Sequence, residues 1–100
     1  MFEVTTPLGF VVRVTDDRWN LVSSLKHPVM AGHEADVRAA LNDPDQIRRS
    51  RRDLRVCLFY RLSDPERWTC AVVKRLDHEG FLITAYPTDK IKEGELIWSR

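Results

Sequence analysis

Apolar and polar positions change their period about halfway along the chain, and that change predicts helices first and strands second. Ahead of both, the β-branched and aromatic runs 2–5 and 10–14 flank Pro7-Leu8-Gly9, a pattern that predicts an N-terminal hairpin over 1–14, expected as an embellishment of the main fold. Asp16 or Asp17 then offers an N-cap, and Trp19, Val22 and Leu25, with Leu21 beside Leu25, recur at helical spacing until Pro28 forbids continuation, so a first helix should end near Lys26. A second helix is expected after Gly32, burying Val37, Ala40 and Leu41 and stopping at Asn42-Asp43-Pro44. Residues 44–50 read as one further helical turn anchored by Ile47. Beyond Asp53 the runs 56–61, 68–75, 81–86 and 95–98 are rich in β-branched and aromatic residues and are separated by short turns, which predicts antiparallel strands. The expected fold is a single α+β domain over 1–100. In it the N-terminal hairpin and two or three helices pack on one face of a four-stranded antiparallel sheet.

Strand parity then divides the sheet into two faces. In the run 81–86, Phe81, Ile83 and Ala85 form the apolar set expected against the helices, which leaves Leu82, Thr84 and Tyr86 on the other side. Antiparallel pairing puts Ala71 and Val73 in the core and turns Cys70, Val72 and Lys74 outward. Placing Leu58 and Tyr60 inward puts Phe59 and Arg61 outward. The second face is therefore expected to display Arg61, Lys74, Thr84 and Tyr86. Two cations, a hydroxyl and an aromatic ring suit a phosphate and a stacked base, and a solvated sheet face is the alternative.

Composition narrows the function classes. The chain has 43% hydrophobic and 31% charged residues, in the ordinary globular range, and its apolar runs are far shorter than the roughly 20 residues of a membrane span. The Met1 end carries no basic segment followed by an apolar one, so no secretory signal is visible and a cytoplasmic location is expected. Cys57 and Cys70 lie in apolar strands and read as core thiols, with no paired ligands for zinc, so neither metal nor cofactor is expected. A net charge of +1 argues against a wholly basic surface, yet between Gln46 and Leu62 six arginines (Arg48, Arg49, Arg51, Arg52, Arg55, Arg61) face one acid, Asp53. Guanidinium forks bind phosphates bidentately, and Ser50 within the run could donate to the same anion. Asp43, Asp45 and Asp53 flank the run and are expected to neutralise part of it. Of the histidines, His27 ends the first helix and adjoins Pro28, which favours an extended backbone. A histidine side chain titrates near about 6.5 in water, a range suited to proton transfer. His33 reads as a first-turn residue of the second helix and His78 as part of a hairpin turn.

These residues also suggest a family. His27-Pro28-Val29-Met30, Asp43-Pro44-Asp45-Gln46-Ile47-Arg48-Arg49-Ser50, the strand end Phe59-Tyr60-Arg61 and Gly80-Phe81-Leu82-Ile83-Thr84-Ala85-Tyr86 resemble the small phage- and bacteria-associated nuclease-like proteins of the barnase, EndoU, colicin and RelE fold group. The resemblance spans about His27 to Trp98. It implies a ribonuclease-like, toxin-like or phage-associated hydrolase that cleaves single-stranded RNA or tRNA without a metal, by 2′-hydroxyl attack to a 2′,3′-cyclic phosphate, under restraint by an inhibitory protein partner. By the same resemblance His27 moves the proton, Arg61 and Lys74 stabilise charge on phosphorus, Thr84 bonds a phosphate oxygen, and Tyr86 stacks or positions a base. Arg48, Ser50 and Arg51 extend the RNA-binding surface. No Glu-Arg-His set of the barnase kind is present among the motifs. The alternative is a non-catalytic RNA- or protein-binding module using the same sheet face and arginine run.

Overall fold

The computed structural model describes residues 2–91 and 93–100. Two short α-helices and seven strands follow one another as β1 (Phe2–Thr5), β2 (Val11–Val14), α1 (Asp16–Leu21), α2 (Glu34–Asn42), β3 (Gln46–Arg49), β4 (Val56–Asp64), β5 (Arg67–Leu76), β6 (Glu79–Thr88) and β7 (Glu95–Ser99). A wide π-helical turn, Val22–Lys26, extends α1, and a 3-10 turn, Pro28–Met30, leads toward α2. All seven strands form one mixed sheet in the order β1-β2-β6-β5-β4-β3-β7. This overturns the expected four-stranded antiparallel sheet.

Two segments account for the extra strands. The hairpin is a working part of the sheet rather than an embellishment, because β2 runs parallel to β6 with Val11 opposite Glu79, Val12 opposite Gly80 and Arg13 opposite Phe81. Phe2, Val4, Val12 and Val14 are buried in the main core as a result. Residues 46–49 form a strand and not a helical turn. Pro44 keeps the preceding Asp43 out of the helical region, at φ −139° and ψ 62°, and the freed chain slots between β4 and β7 with Ile47 fully buried. The anchor is as expected, and its conformation is set by partners distant in sequence.

The helices behave more nearly as their patterns dictate. Thr15, rather than Asp16 or Asp17, caps α1, its Oγ1 accepting from Arg18 N at 3.1 Å. The π-turn closes with His27 N donating to Val22 O at 2.8 Å, and Leu25 is left exposed. Helix α2 lays Val37, Ala40 and Leu41 on the sheet as its periodicity predicts. With Val22 and Met30 they complete one core over Phe59, Ala71, Val73, Leu82 and Ala85. Cys57 and Cys70 are both buried and unpaired. No helix is long and apolar enough to cross a membrane among the described residues.

Candidate functional site

The sheet face away from the helices carries the candidate site. Its side chains stand in rows across the strands, fixed by register. One row runs Gln46, Tyr60, Cys70, Tyr86; the next Arg48, Leu58, Val72, Thr84; a third Val56, Lys74, Phe81. Thr84, Tyr86, Lys74, Cys70 and Val72 are therefore on the expected face. Two assignments reverse. Phe59 is fully buried toward the helices, edge-on to Phe10 at 6.3 Å, so Leu58 and Tyr60 face the site side. Within 81–86, Leu82 is fully buried while Phe81 is 39% exposed, because Ile83 is an extra residue: Val72 opposes Thr84 but Val73 opposes Leu82. This β-bulge swaps parity inside the strand and puts Phe81 on the same side as Thr84 and Tyr86.

The bulge also sets the position of His27. Strand β2 pairs with β6 only as far as Phe81, which leaves the later part of β6 as an edge. The Ile83 carbonyl on that edge accepts from Lys26 Nζ at 3.2 Å and Arg18 Nη1 at 3.4 Å. Both cations belong to the helical segment that ends at His27. Pro28 keeps His27 out of the helical region, at φ −142° and ψ 80°, and its ring stands 5.4 Å from the Tyr86 ring at 45°. Lys26, Arg18 and Ile83 carry no motif of their own, so sequence patterning passes over them.

Tyr86 in turn packs against a second apolar cluster. That cluster holds Tyr60 and Cys70, whose phenol and thiol neighbour the Tyr86 phenol. Burial pushes the Cys70 thiol up to about 12 and raises both phenols above the ordinary tyrosine range. All three stay protonated at neutral pH and do not serve as bases. The connection from β6 to β7 crosses this cluster: Ile91 packs on it, and Gly94 O accepts from Arg48 Nη1 at 3.1 Å. Gly94 has φ +88°, and a Cβ there would stand 2.7 Å from Arg49 O, so glycine is required.

The remaining expected site residues separate into three settings. Thr84 Oγ1 is buried with no hydrogen-bond partner among the described residues, an unspent hydroxyl two residues before Tyr86. Lys74 shares the face but pairs with Asp53 at 2.7 Å. Arg61 is on the helix face, where its Nη1 meets Asp43 Oδ2 at 2.9 Å and Asp43 O at 2.6 Å; the four-residue constellation is not assembled. Arg48 Nε donates to Gln46 Oε1 at 2.7 Å, so its guanidinium is held along the sheet. Ser50 Oγ accepts from Arg52 N and Asp53 N and so shapes a turn, and Arg51 is exposed on that turn.

A larger concavity, about 650 Å³, lies elsewhere, between the Pro28–Met30 turn, the start of α2 and the β4–β5 turn. Asp36, Asp64, Glu66 and Asp89 line it against only Arg67 and His33, and His33 Nδ1 is bonded to Asp36 Oδ2 at 2.8 Å. Such a field repels phosphate, so volume and anion chemistry point to different places on this molecule. Among the described residues no group of three or more His, Cys, Asp or Glu side chains could hold a metal ion. No family model, curated protein or solved structure matches the chain.

Proposed function

We propose that this protein binds single-stranded RNA on the face of β4, β5 and β6 and cleaves it without a metal ion, leaving a 2′,3′-cyclic phosphate. The observation that carries the reading is the His27 imidazole 5.4 Å from the Tyr86 ring, at the rim of the face that holds Thr84 and Lys74. The resemblance to small nucleases of the barnase, EndoU, colicin and RelE fold group supports it. His27 accepts the proton of the ribose 2′-hydroxyl; the 2′-oxygen bonds to phosphorus, the bond to the 5′-oxygen breaks, and that oxygen takes a proton from solvent. Lys74 lends positive charge to the face, lessened by Asp53. Tyr86 orients the imidazole rather than stacking a base, since its ring already meets that of His27 at 5.4 Å. Arg61 has no part in this version of the site.

The test is cleavage of a single-stranded RNA in EDTA, with product ends identified by mass. Wild-type protein should yield cyclic-phosphate ends and should spare an oligonucleotide carrying a 2′-deoxy sugar at the cut position. His27→Gln should lose about 100-fold or more in rate, the range set by removal of a general base. Intact RNA after prolonged incubation with wild type, or full activity in His27→Gln, would refute the proposal. RNA binding without cleavage would instead favour a non-catalytic binding module.

A further inference from the structure

Residues 50–55 join β3 to β4 in a turn whose polar groups are satisfied internally. Ser50 N donates to Val56 O at 2.9 Å, Val56 N to Asp53 O at 2.9 Å, and Arg55 N to Asp53 Oδ1 at 3.0 Å. Ser50 Oγ accepts from Arg52 N at 3.2 Å and from Asp53 N at 3.3 Å. The acids near this arginine run in sequence make their ion pairs away from residues 51–55. Asp53 Oδ2 takes Lys74, Asp43 takes Arg61 and Arg100, and Asp45 takes Arg100. The expected partial neutralisation therefore reaches Arg61 through Asp43, and Arg55 through the nearby charge of Asp53, but no acid forms an ion pair with Arg51, Arg52 or Arg55 among the described residues.

Arg48 and Arg49 are themselves occupied, by Gly94 O and by Glu95. What is left is Arg51, Arg52 and Arg55, all exposed, with no ion pair to their guanidinium groups among the described residues. Three like charges on one tight turn repel one another, and a polyanion relieves that repulsion. The Asp53–Lys74 pair ties the turn to the Lys74 end of the candidate face.

We infer that Arg51, Arg52 and Arg55 bind successive phosphodiesters of one RNA strand, so that the substrate is an oligonucleotide. The placement of the scissile phosphate at the other end of that strand rests on the cleavage reading above; the phosphate contacts do not. On β5 the Cys70–Tyr86 row and the Lys74–Phe81 row are four residues apart, about 13 Å at about 3.3 Å per residue, and the turn lies beyond. A dinucleotide seated at His27 does not reach it.

Binding is measured by fluorescence anisotropy with a labelled 2′-O-methyl RNA 12-mer in EDTA, a probe that resists 2′-hydroxyl cleavage. The wild type is compared with Arg51→Gln/Arg52→Gln/Arg55→Gln across a salt series. Losing three single-strand phosphate contacts should flatten the plot of log affinity against log salt by about 2, equivalent to about 100-fold at 0.1 M salt. In cleavage assays the triple variant should show a higher KM and an unchanged kcat on the 12-mer RNA, with no change on a dinucleotide. An unaltered salt slope in the triple variant, or no binding of the 12-mer by wild type, overturns the inference. A flattened slope with no cleavage by any protein upholds the phosphate site and overturns the cleavage reading, so the two failures are distinguishable.

Discussion

Substituting Leu82, Ile83 and Phe81 singly by alanine tests the bulge on which the site geometry depends. Uniform alternation would bury Phe81 and Ile83 and expose Leu82. The register shift instead leaves Leu82 fully buried, Phe81 39% exposed and Ile83 only partly buried. Removing the Leu82 side chain deletes contacts with a closed core and should cost about 2–5 kcal/mol. Ile83→Ala and Phe81→Ala remove side chains that keep solvent contact, a loss on the order of 1 kcal/mol each. For a chain of this length, 1 kcal/mol corresponds to about 4–8 °C in Tm, so Leu82→Ala should melt at least about 8 °C below wild type and well below the other two. Urea unfolding followed by the fluorescence of Trp19, Trp68 and Trp98 gives the free energies, with equal m-values as the check that the same transition is compared. If Ile83→Ala is as destabilising as Leu82→Ala, the bulge is not where the register places it. The shared face of Phe81, Thr84 and Tyr86 then falls with it.

Two further outcomes follow from titratable groups. Hydrogen bonds from Arg100 and Arg61 hold the Asp43 carboxyl below its ordinary 3.8, and Lys74 does the same for Asp53. A carboxyl with a lowered folded pKa binds fewer protons than the unfolded chain. Its stabilisation is therefore complete above about pH 4 and is lost as the pH falls from there through the folded value. Urea midpoints should drop below pH 4 in wild type, and the drop should be shallower in Asp43→Asn; parallel profiles would contradict the pairing. Burial raises the thiols of Cys57 and Cys70, the latter to about 12, so neither should react with a thiol-selective disulfide reagent at pH 8 until denaturant is added. Rapid labelling of the native protein would show that the cluster beneath Tyr86 is open.

What the sequence made legible, and what it hid, divides along the range of the interactions involved. Val37, Ala40 and Leu41 are readable because helical periodicity is local. Ile47 is readable as an anchor but not as a strand residue, since four residues carry too little pattern and its partners, Phe59 and Trp98, lie far along the chain. In Cys57-Leu58-Phe59-Tyr60 every side chain is buried, on one face by helices and on the other by Ile91 and the β6–β7 connection, so alternation vanishes and parity has nothing to grip. Phe81-Leu82-Ile83 is apolar throughout, and a bulge hides easily there. Lys74, Thr84 and Tyr86 came out on the right face because the polar signal on β5 and after the bulge survives. Arg61 did not, since its face follows from Phe59.

The same bulge links sheet closure to chemistry. An open sheet edge invites pairing with another chain, and here β2 stops pairing with β6 at Phe81, leaving the edge beside Ile83, Thr84 and Tyr86 unpaired by any strand. Further pairing of β2 along β6 would have covered it. Instead the extra residue turns one carbonyl outward, and Lys26 and Arg18 take it with a helical turn that ends in His27. The turn has to widen to a π-type closure to do so, and Pro28 then stops it with the imidazole over Tyr86. Covering the edge with cations and placing a titratable ring at the rim of the face are one structural solution. Removing either Lys26 or the Ile83 bulge should therefore disturb both.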